Sequence, residues 1–495
     1  MKRPVLLLGA GLMLLSAVLK ISFPLFLCLS ALFFIVTFTF SFFIKQRLHL
    51  IIVAFAFLLF SLVGGLADNN LNFARQNADN RGEARVAITD IRKSEYGYVA
   101  VGKLENLNGK GIFGTKIRLY LDDSKPVERG DKITVKTDLS LMEDNNHYFS
   151  QNVFFQGKRT EILSHKKCAD FLQFAMGKLQ NGVRKIVGEN LSGTVADFVL
   201  AVIVGDSSGI DDETYLNMQI SGILHMIVVS GTHFTTVLAA IMFFVRRLFP
   251  KRKVKGFISL FVILFIMLFC GFSMPVVRSG IAYLILTLGI FLDRDGDSLC
   301  ALAATLSIIL FICPYGFYSV SLLLTISATF GILVLSPIII DVTKIYRLRQ
   351  NELLYDFLNV IAVTVSANIT TLPILMYVFD SVSMVSLLAN LMINYSVSAV
   401  LVLALLAVIG APVVFVSKPL FLISGLLSNY SLWAIDFCAN LPFASIKVNG
   451  KHFSAVTVMI YATVTVIYFL FFKKRRDSHN SQAPPHKVFY RGNNL

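Results

Sequence analysis

Twelve apolar runs divide this chain, and they restrict it to a fold that crosses a bilayer many times. A helix of about 20 mostly apolar residues spans the hydrocarbon core. Runs of that kind lie at 4–19, 21–44, 48–66, 223–245, 256–273, 276–292, 298–313, 317–339, 352–379, 382–408, 419–439 and 453–472. Only 15% of residues are charged and 55% are apolar, whereas soluble proteins carry about 25% charged residues. A soluble enzyme, a disordered chain and a disulfide scaffold are thereby excluded. No small-residue cleavage site follows the first run, so it reads as a helix rather than a signal peptide. Cys28, Cys168, Cys270, Cys300, Cys313 and Cys438 are scattered with no CxxC, which suggests neither a metal cage nor a redox pair.

The net charge of +15 has a topological explanation. Its clusters are Lys2-Arg3, Lys45 with Arg47, Arg246-Arg247 with Lys251 to Lys255, Lys344 with Arg347 and Arg349, and Lys473 to Arg476, and each abuts an apolar run. Cytoplasmic Lys and Arg orient helices. With the N-terminus inside, strict alternation sends every cluster to the cytoplasm and supports about twelve crossings. The same alternation puts 68–165 outside and both termini inside a cytoplasmic membrane.

Five regions follow. Residues 1–67 are three helices. Residues 68–165 change to short alternating segments (85–91, 98–101, 116–121, 131–136 and 152–155) separated by turn residues such as Asn108-Gly109. Five short strands in so little chain suit a small all-β, OB-like barrel. Seventeen Lys and Arg against fourteen Asp and Glu over 68–167 leave this region nearly neutral. Tyr96, Tyr98 and Tyr120, with Phe113 and Tyr148, are candidates for base stacking, although aromatics also fill barrel cores. Within 166–190, Leu172, Met176, Leu179, Val183 and Ile186 recur at helical spacing opposite Lys178, Arg184 and Lys185, which describes a helix lying on the membrane surface. Residues 191–472 form the helical core, in which 195–204 is too short to span and can re-enter only against protein or water. Residues 473–495 are a basic cytoplasmic tail.

Polar residues inside spans are costly unless they face a partner or water. One segment concentrates them: Gly222-Ile-Leu-His225, then Val229-Ser230-Gly-Thr232-His233 and Thr236. On an unbroken helix at about 100° per residue, Thr232 and Thr236 fall within about 20° of His225, and His233 about 80° away. Interhelical hydrogen bonding and a functional polar lining both account for this stripe. Arg278 is the second anomaly. Pro275 suits a helical first turn, so Arg278 sits near an outward N-terminus, where a cation opposes the helix dipole. It either snorkels to the interface, faces a polyanion, or pairs with an acid such as Asp197 or Asp206.

These motifs carry a resemblance. Gly205-Asp-Ser-Ser-Gly209, Gly222-Ile-Leu-His225, Val229-Ser-Gly-Thr-His233 and Pro275-Val-Val-Arg278 resemble the competence domain of ComEC-type DNA-internalisation proteins. So do Cys313-Pro314, Ser327-Ala-Thr-Phe-Gly331, Asn368 through Pro373, and Leu387-Leu-Ala-Asn390. The order of parts is also similar: three helices, an external OB-like domain, then a polytopic core. Thr232, Thr235, Leu323 and Thr325 depart from residues usual in the family. The resemblance implies a channel passing single-stranded DNA across the cytoplasmic membrane during natural transformation, with His225, Ser230, Thr232, His233, Thr236, Arg278, Asn368 and Asn390 along the path. It also implies a DNA-receptor protein outside, an ATP-driven or DNA-binding protein inside, a separate nuclease, and contact with membrane lipid. Many members append a metallo-β-lactamase-like domain, which this sequence does not show.

Two other readings compete. A transporter of another polar or lipid-linked substrate uses the same scaffold. An intramembrane serine hydrolase pairs Ser230 with His233 or His225. No GxxxxGK, HExxH or HxHxDH occurs, so no catalytic residue, cofactor or metal is expected.

Overall fold

The structure, a computed structural model, describes residues 4–447 other than 44–46, 79, 95–96, 112–113, 123–126, 143–145, 168–170, 206–208, 225–230, 250, 271–273, 292–296, 344–350 and 380. The run 453–472 and the basic tail therefore lie outside the described residues.

Helices α1 (Pro4–Leu19), α2 (Phe23–Phe43) and α3 (Arg47–Asn77) follow the first three apolar runs. The third corrects the expected boundary. Residues 68–77 continue α3 instead of opening the β region. Their polar composition reads as loop, yet neither Gly nor Pro interrupts them. Asn72 Nδ2 donates to Asp68 Oδ2 one turn back at 2.9 Å, and Leu71 and Ala74 are buried in the cluster that includes the barrel interior. At about 1.5 Å per residue, α3 is longer than the bilayer needs, and its last turns become the stem of the β domain.

That domain comprises β1 (Arg81–Ser94), β2 (Gly97–Leu107), β3 (Lys110–Gly111), β4 (Lys116–Leu121), β5 (Lys132–Leu141), α4 (Asn146–Phe149) and β6 (Val153–Lys166). All five strands read from alternation are present, and most are longer than the alternating runs. They close in the ring β1–β2–β4–β6–β5–β1. Every junction is antiparallel except β4–β6. On β5, Ile133, Val135, Thr137 and Leu139 point inward and the intervening residues outward. Asn108 (φ 49) and Gly109 (φ 83) turn β2 into β3, as a tight hairpin requires.

The core continues through α5 (Phe171–Asn190), α6 (Gly193–Val204), α7 (Asp212–Ile220), α8 (Gly231–Leu248), α9 (Arg252–Phe269), α10 (Met274–Phe291), α11 (Ser298–Ile312), a 3-10 turn (Gly316–Tyr318), α12 (Val320–Val342) and α13 (Glu352–Phe379). After β7 (Ser381–Ser383) come α14 (Ser386–Ile409), α15 (Val414–Ala439) and β8 (Ser445–Lys447), which pairs with β7. Helices α3, α12, α13, α14 and α15 each contain a stretch long and apolar enough to cross a membrane. The short helix α6 is buried along most of its length, which satisfies the condition for a segment that does not span. On α5 the buried stripe is Gln180, Val183 and Val187, while Leu179, expected on the apolar face, is 41% exposed. Packing against α6 and α9 sets the rotation of this helix.

Candidate functional site

Five helices close on themselves. α8 packs against α10, α10 against α12, α12 against α13, α13 against α14, and α14 against α8. Four of the five carry a residue that the resemblance puts along the path: Thr232, His233 and Thr236 on α8, Arg278 on α10, Asn368 on α13 and Asn390 on α14.

Arg278 is only 5% exposed, so it does not snorkel. Pro275 lies in the first turn of α10, as its missing N–H favours. The guanidinium Nη1 donates to the Ser321 carbonyl in the first turn of α12 at 2.8 Å, and buried Nε has no hydrogen bond among the described residues. No carboxylate pairs with Arg278 among the described residues. The pairing with Asp197, one of the three readings of this arginine, is therefore not formed. Asp197 instead sits on α6 with its carboxylate against Gly209, where any side chain would overlap it. Gly205 ends α6 at φ 79. The two glycines of Gly205-Asp-Ser-Ser-Gly209 thus have structural reasons, one conformational and one steric. Asp206 lies outside the described residues.

His233 is 4% exposed, in the first turn of α8. Its neighbour Phe234 stacks on Tyr283 of α10 at 5.6 Å, which fixes α8 beside the helix of Arg278. Thr236 is half-buried and the side chain of Thr232 is not described. His225 and Ser230 lie outside the described residues, and with them the pairing that a serine hydrolase needs. α8 is described from Gly231, not from 223. A Cβ on Gly222, whose φ is 76, would come within 2.9 Å of the Cβ atoms of Ser383 and Ser386, so the Gly222-Ile-Leu segment meets the start of α14, one turn before Asn390.

The α12–α13 contact explains two more motifs. Ser327 donates to the Thr370 carbonyl, and Thr370 Oγ1 donates back to the Ser327 carbonyl at 2.8 Å. A Cβ on Gly331 would come within 2.5 Å of the Ser366 carbonyl oxygen. Small residues let these helices approach, and hydroxyls tie them. Asn368 is half-buried on this helix, and its carbonyl accepts from Thr371 Oγ1 at 3.3 Å.

The barrel holds a second group of candidate residues. Lys116, Arg118 and Tyr120 alternate along one outward face of β4. The Arg118 guanidinium lies over the rings of Tyr120 at 4.9 Å and Tyr148 at 4.7 Å, and it makes no ion pair or hydrogen bond among the described residues. Gln156 Nε2 donates to the Tyr120 hydroxyl at 3.2 Å. Lys103 stands opposite Lys116 on β2. Burial holds the Lys116 ammonium below its usual pKa, with Lys103 adding to the effect and Cys313 and Asp90 opposing it. Tyr98 is half-buried and packs on the barrel interior, so it belongs to the core rather than to a stacking surface. Tyr96 lies outside the described residues. Arg118 did not emerge from the sequence as a site residue; its signal is the two-residue spacing from Lys116 to Tyr120 on one strand. Among the described residues no group of three His, Cys, Asp or Glu could hold a metal ion.

Residues 202–475 match the model of the family described as Competence protein. This chain is similar to ComE operon protein 3 of Bacillus subtilis (strain 168), 22% identical over 250 residues. That match covers 50% of this chain and 30% of the relative, so the chain spans less than two thirds of the relative's length. No solved structure matches.

Proposed function

The chain belongs to the Competence protein family, and from that premise we propose that it is a channel for single-stranded DNA in the cytoplasmic membrane, serving natural transformation. The observation that carries the reading is the closed ring α8–α10–α12–α13–α14, with Arg278 buried in it and no carboxylate beside it among the described residues. A buried, unneutralised cation is expensive within a membrane. A passing polyanion repays that cost transiently. His233, Thr236, Asn368 and Asn390 supply further polar groups to the same ring, and His225, Ser230 and Thr232 extend the candidate path.

In this reading the chain crosses the membrane about twelve times with both termini inside, and the barrel faces the outside of the cell. Its strand ring has the five-strand closure of an OB-type barrel, a fold that takes oligonucleotides on the face of its second and third strands. Here those strands are β2 and β4, which bear Lys103, Lys116, Arg118 and Tyr120. A guanidinium held between two aromatic rings suits both phosphate contact and base stacking. The ring of helices supplies no pulling force of its own, so the reading calls for a DNA receptor outside, an ATP-driven or DNA-binding protein inside, and a nuclease that removes the complementary strand.

The test is a strain lacking the gene, fed fluorescent duplex DNA. DNA should still accumulate at the surface and remain open to added nuclease, and the wild-type gene should restore nuclease-resistant DNA. Nuclease-resistant uptake that persists without the gene would sink the proposal.

A further inference from the structure

The segment joining α11 to α12 touches three parts of the molecule within eight residues. Tyr315 is completely buried, and its ring lies 4.7 Å from Phe149 and 5.9 Å from Phe154 of the barrel. Beside it, Ser16 of α1 donates its hydroxyl to the Pro314 carbonyl and accepts from the Phe317 amide, and the Tyr318 hydroxyl donates to the Ala17 carbonyl at 2.7 Å. Lys20 covers the same cluster, 4.4 Å above Phe149 and 5.2 Å from Tyr318. Ser319 then caps α12 by accepting from the Leu322 amide, and in that first turn the Ser321 carbonyl holds Arg278.

Phe149 has a second significance. Its chain neighbour Tyr148 carries the ring under Arg118. A short path of contacts therefore leads from Arg118 to Tyr148, across Phe149 to Tyr315, and along six residues to Ser321 and Arg278.

Resting on the channel reading, we propose that Tyr315 is a positioning residue that docks the barrel so that its Arg118 face is aligned with Arg278 in the helix ring. Apart from α3, the chain after β6 and the Tyr315 cluster, the barrel is held to the core by the Arg129–Gln180 hydrogen bond at 3.0 Å, a single polar contact that pivots, and a strand leaving a pivoting barrel would have to find the ring by diffusion. The buried aromatic cluster removes that search. Its seam also contains a reporter, because Cys313, next to Pro314 at the end of α11, is 6% exposed.

The experiment uses the full chain with Cys28, Cys168, Cys270, Cys300 and Cys438 replaced by Ser. Three readouts are taken on Tyr315→Ala and Tyr315→Phe: labelling of Cys313 by a membrane-impermeant maleimide, binding of a fluorescent oligonucleotide by the purified protein, and nuclease-resistant DNA uptake. Tyr315→Ala should expose Cys313 and leave oligonucleotide binding within about twofold, while uptake falls about tenfold, the scale of one lost aromatic contact. Tyr315→Phe keeps the ring and should match the parent in all three. If Tyr315→Ala does not accumulate, Tyr315→Leu fills the space without ring stacking and should give the same pattern. Exposed Cys313 with unchanged uptake overturns the proposal, as does shielded Cys313 in the Ala or Leu variant. Loss of oligonucleotide binding in parallel with uptake also overturns it, because the contact then shapes the barrel's own site. Arg278→Ala run beside them separates the two ideas: full uptake there sinks the path reading while the Cys313 result still reports on docking.

Discussion

Two arginines, one in the barrel and one in the helix ring, lack a carboxylate among the described residues and solve that problem differently. Arg118 lies on the outer face of a strand with its guanidinium over two tyrosine rings, whose π faces take up part of its charge, while its buried Nε has no hydrogen bond among the described residues. Arg278 is 5% exposed and is fixed by one carbonyl of the next helix. The contrast follows from the two surroundings. On the barrel, a cation costs little and its neighbours need only orient it. Among the helices of the core, polar groups need partners, and several have them: Ser327 with Thr370 between α12 and α13, and Ser396 of α14 with Ser431 of α15 at 2.7 Å. Arg278, in the helix ring, has one hydrogen bond and a buried Nε without one among the described residues.

The sharpest break in this contrast comes from the ring. Arg278→Ala should lower transformation by about 100-fold or more at normal protein abundance, since a charge-assisted contact is worth roughly 1.5–3 kcal/mol and a strand makes it repeatedly. Arg278→Lys, a point charge without the fork, should recover part of the loss. Transformation frequency and membrane immunoblots measure both. Full transport by the Ala variant would reduce Arg278 to a structural staple between α10 and α12.

Next in size is packing. Gly331→Val drives methyl groups into Thr370 and the Ser366 carbonyl, and overpacking of this kind costs about 2–3 kcal/mol. The melting temperature in detergent should drop and transport should fall with it. The equivalent change on the barrel surface, Lys103→Val, meets no such neighbour and should leave the melting temperature unchanged.

On the barrel, Arg118→Ala should weaken binding of a single-stranded oligonucleotide by about tenfold and reduce the salt slope by roughly one phosphate's worth. Tyr120→Ala should weaken binding with the salt slope intact. Fluorescence anisotropy at two salt concentrations separates them. Equal salt slopes for Arg118→Ala and the parent would remove Arg118 from the strand's path.

The two regions also differed in legibility. Strand alternation with period two exposes the barrel directly: Ile133, Val135 and Leu139 are inward as written. The aromatic residues were less transparent, because Tyr98 and Tyr120 occur in similar local sequence yet one packs on the interior and the other lies open. In the core, hydropathy located the described helices from α8 onward but not their ends. Residues 68–77 form helix because Leu71 and Ala74 meet the barrel, a tertiary contact that no local pattern records. The closed ring of five helices was not legible at all, since apolar runs carry no information on which neighbour they choose. Arg278 was legible as an anomaly, and only the structure separates a snorkelling cation from a buried one.

The smallest effect is expected where the two regions meet. Lys116 is half-buried against the core, and its ammonium is held below the ordinary value of 10.5 first by desolvation and then by Lys103, against opposing contributions from Cys313 and Asp90. A lysine with a lowered folded pKa binds fewer protons than the unfolded chain between that pKa and 10.5. Stability therefore rises with pH across this window and carries the full desolvation penalty below it. Lys116→Met keeps the length of the side chain and removes the charge. It should raise stability at neutral pH by under about 1 kcal/mol, allowing for partial solvation, and should flatten the alkaline rise in a pH series of thermal melts. The same variant should weaken oligonucleotide binding slightly, because one cation leaves the β2–β4 face. A stabilised protein that binds less strand means that the seam keeps Lys116 for strand binding at a cost in stability. A destabilised one assigns Lys116 to the docking contact and confines functional cost to the ring.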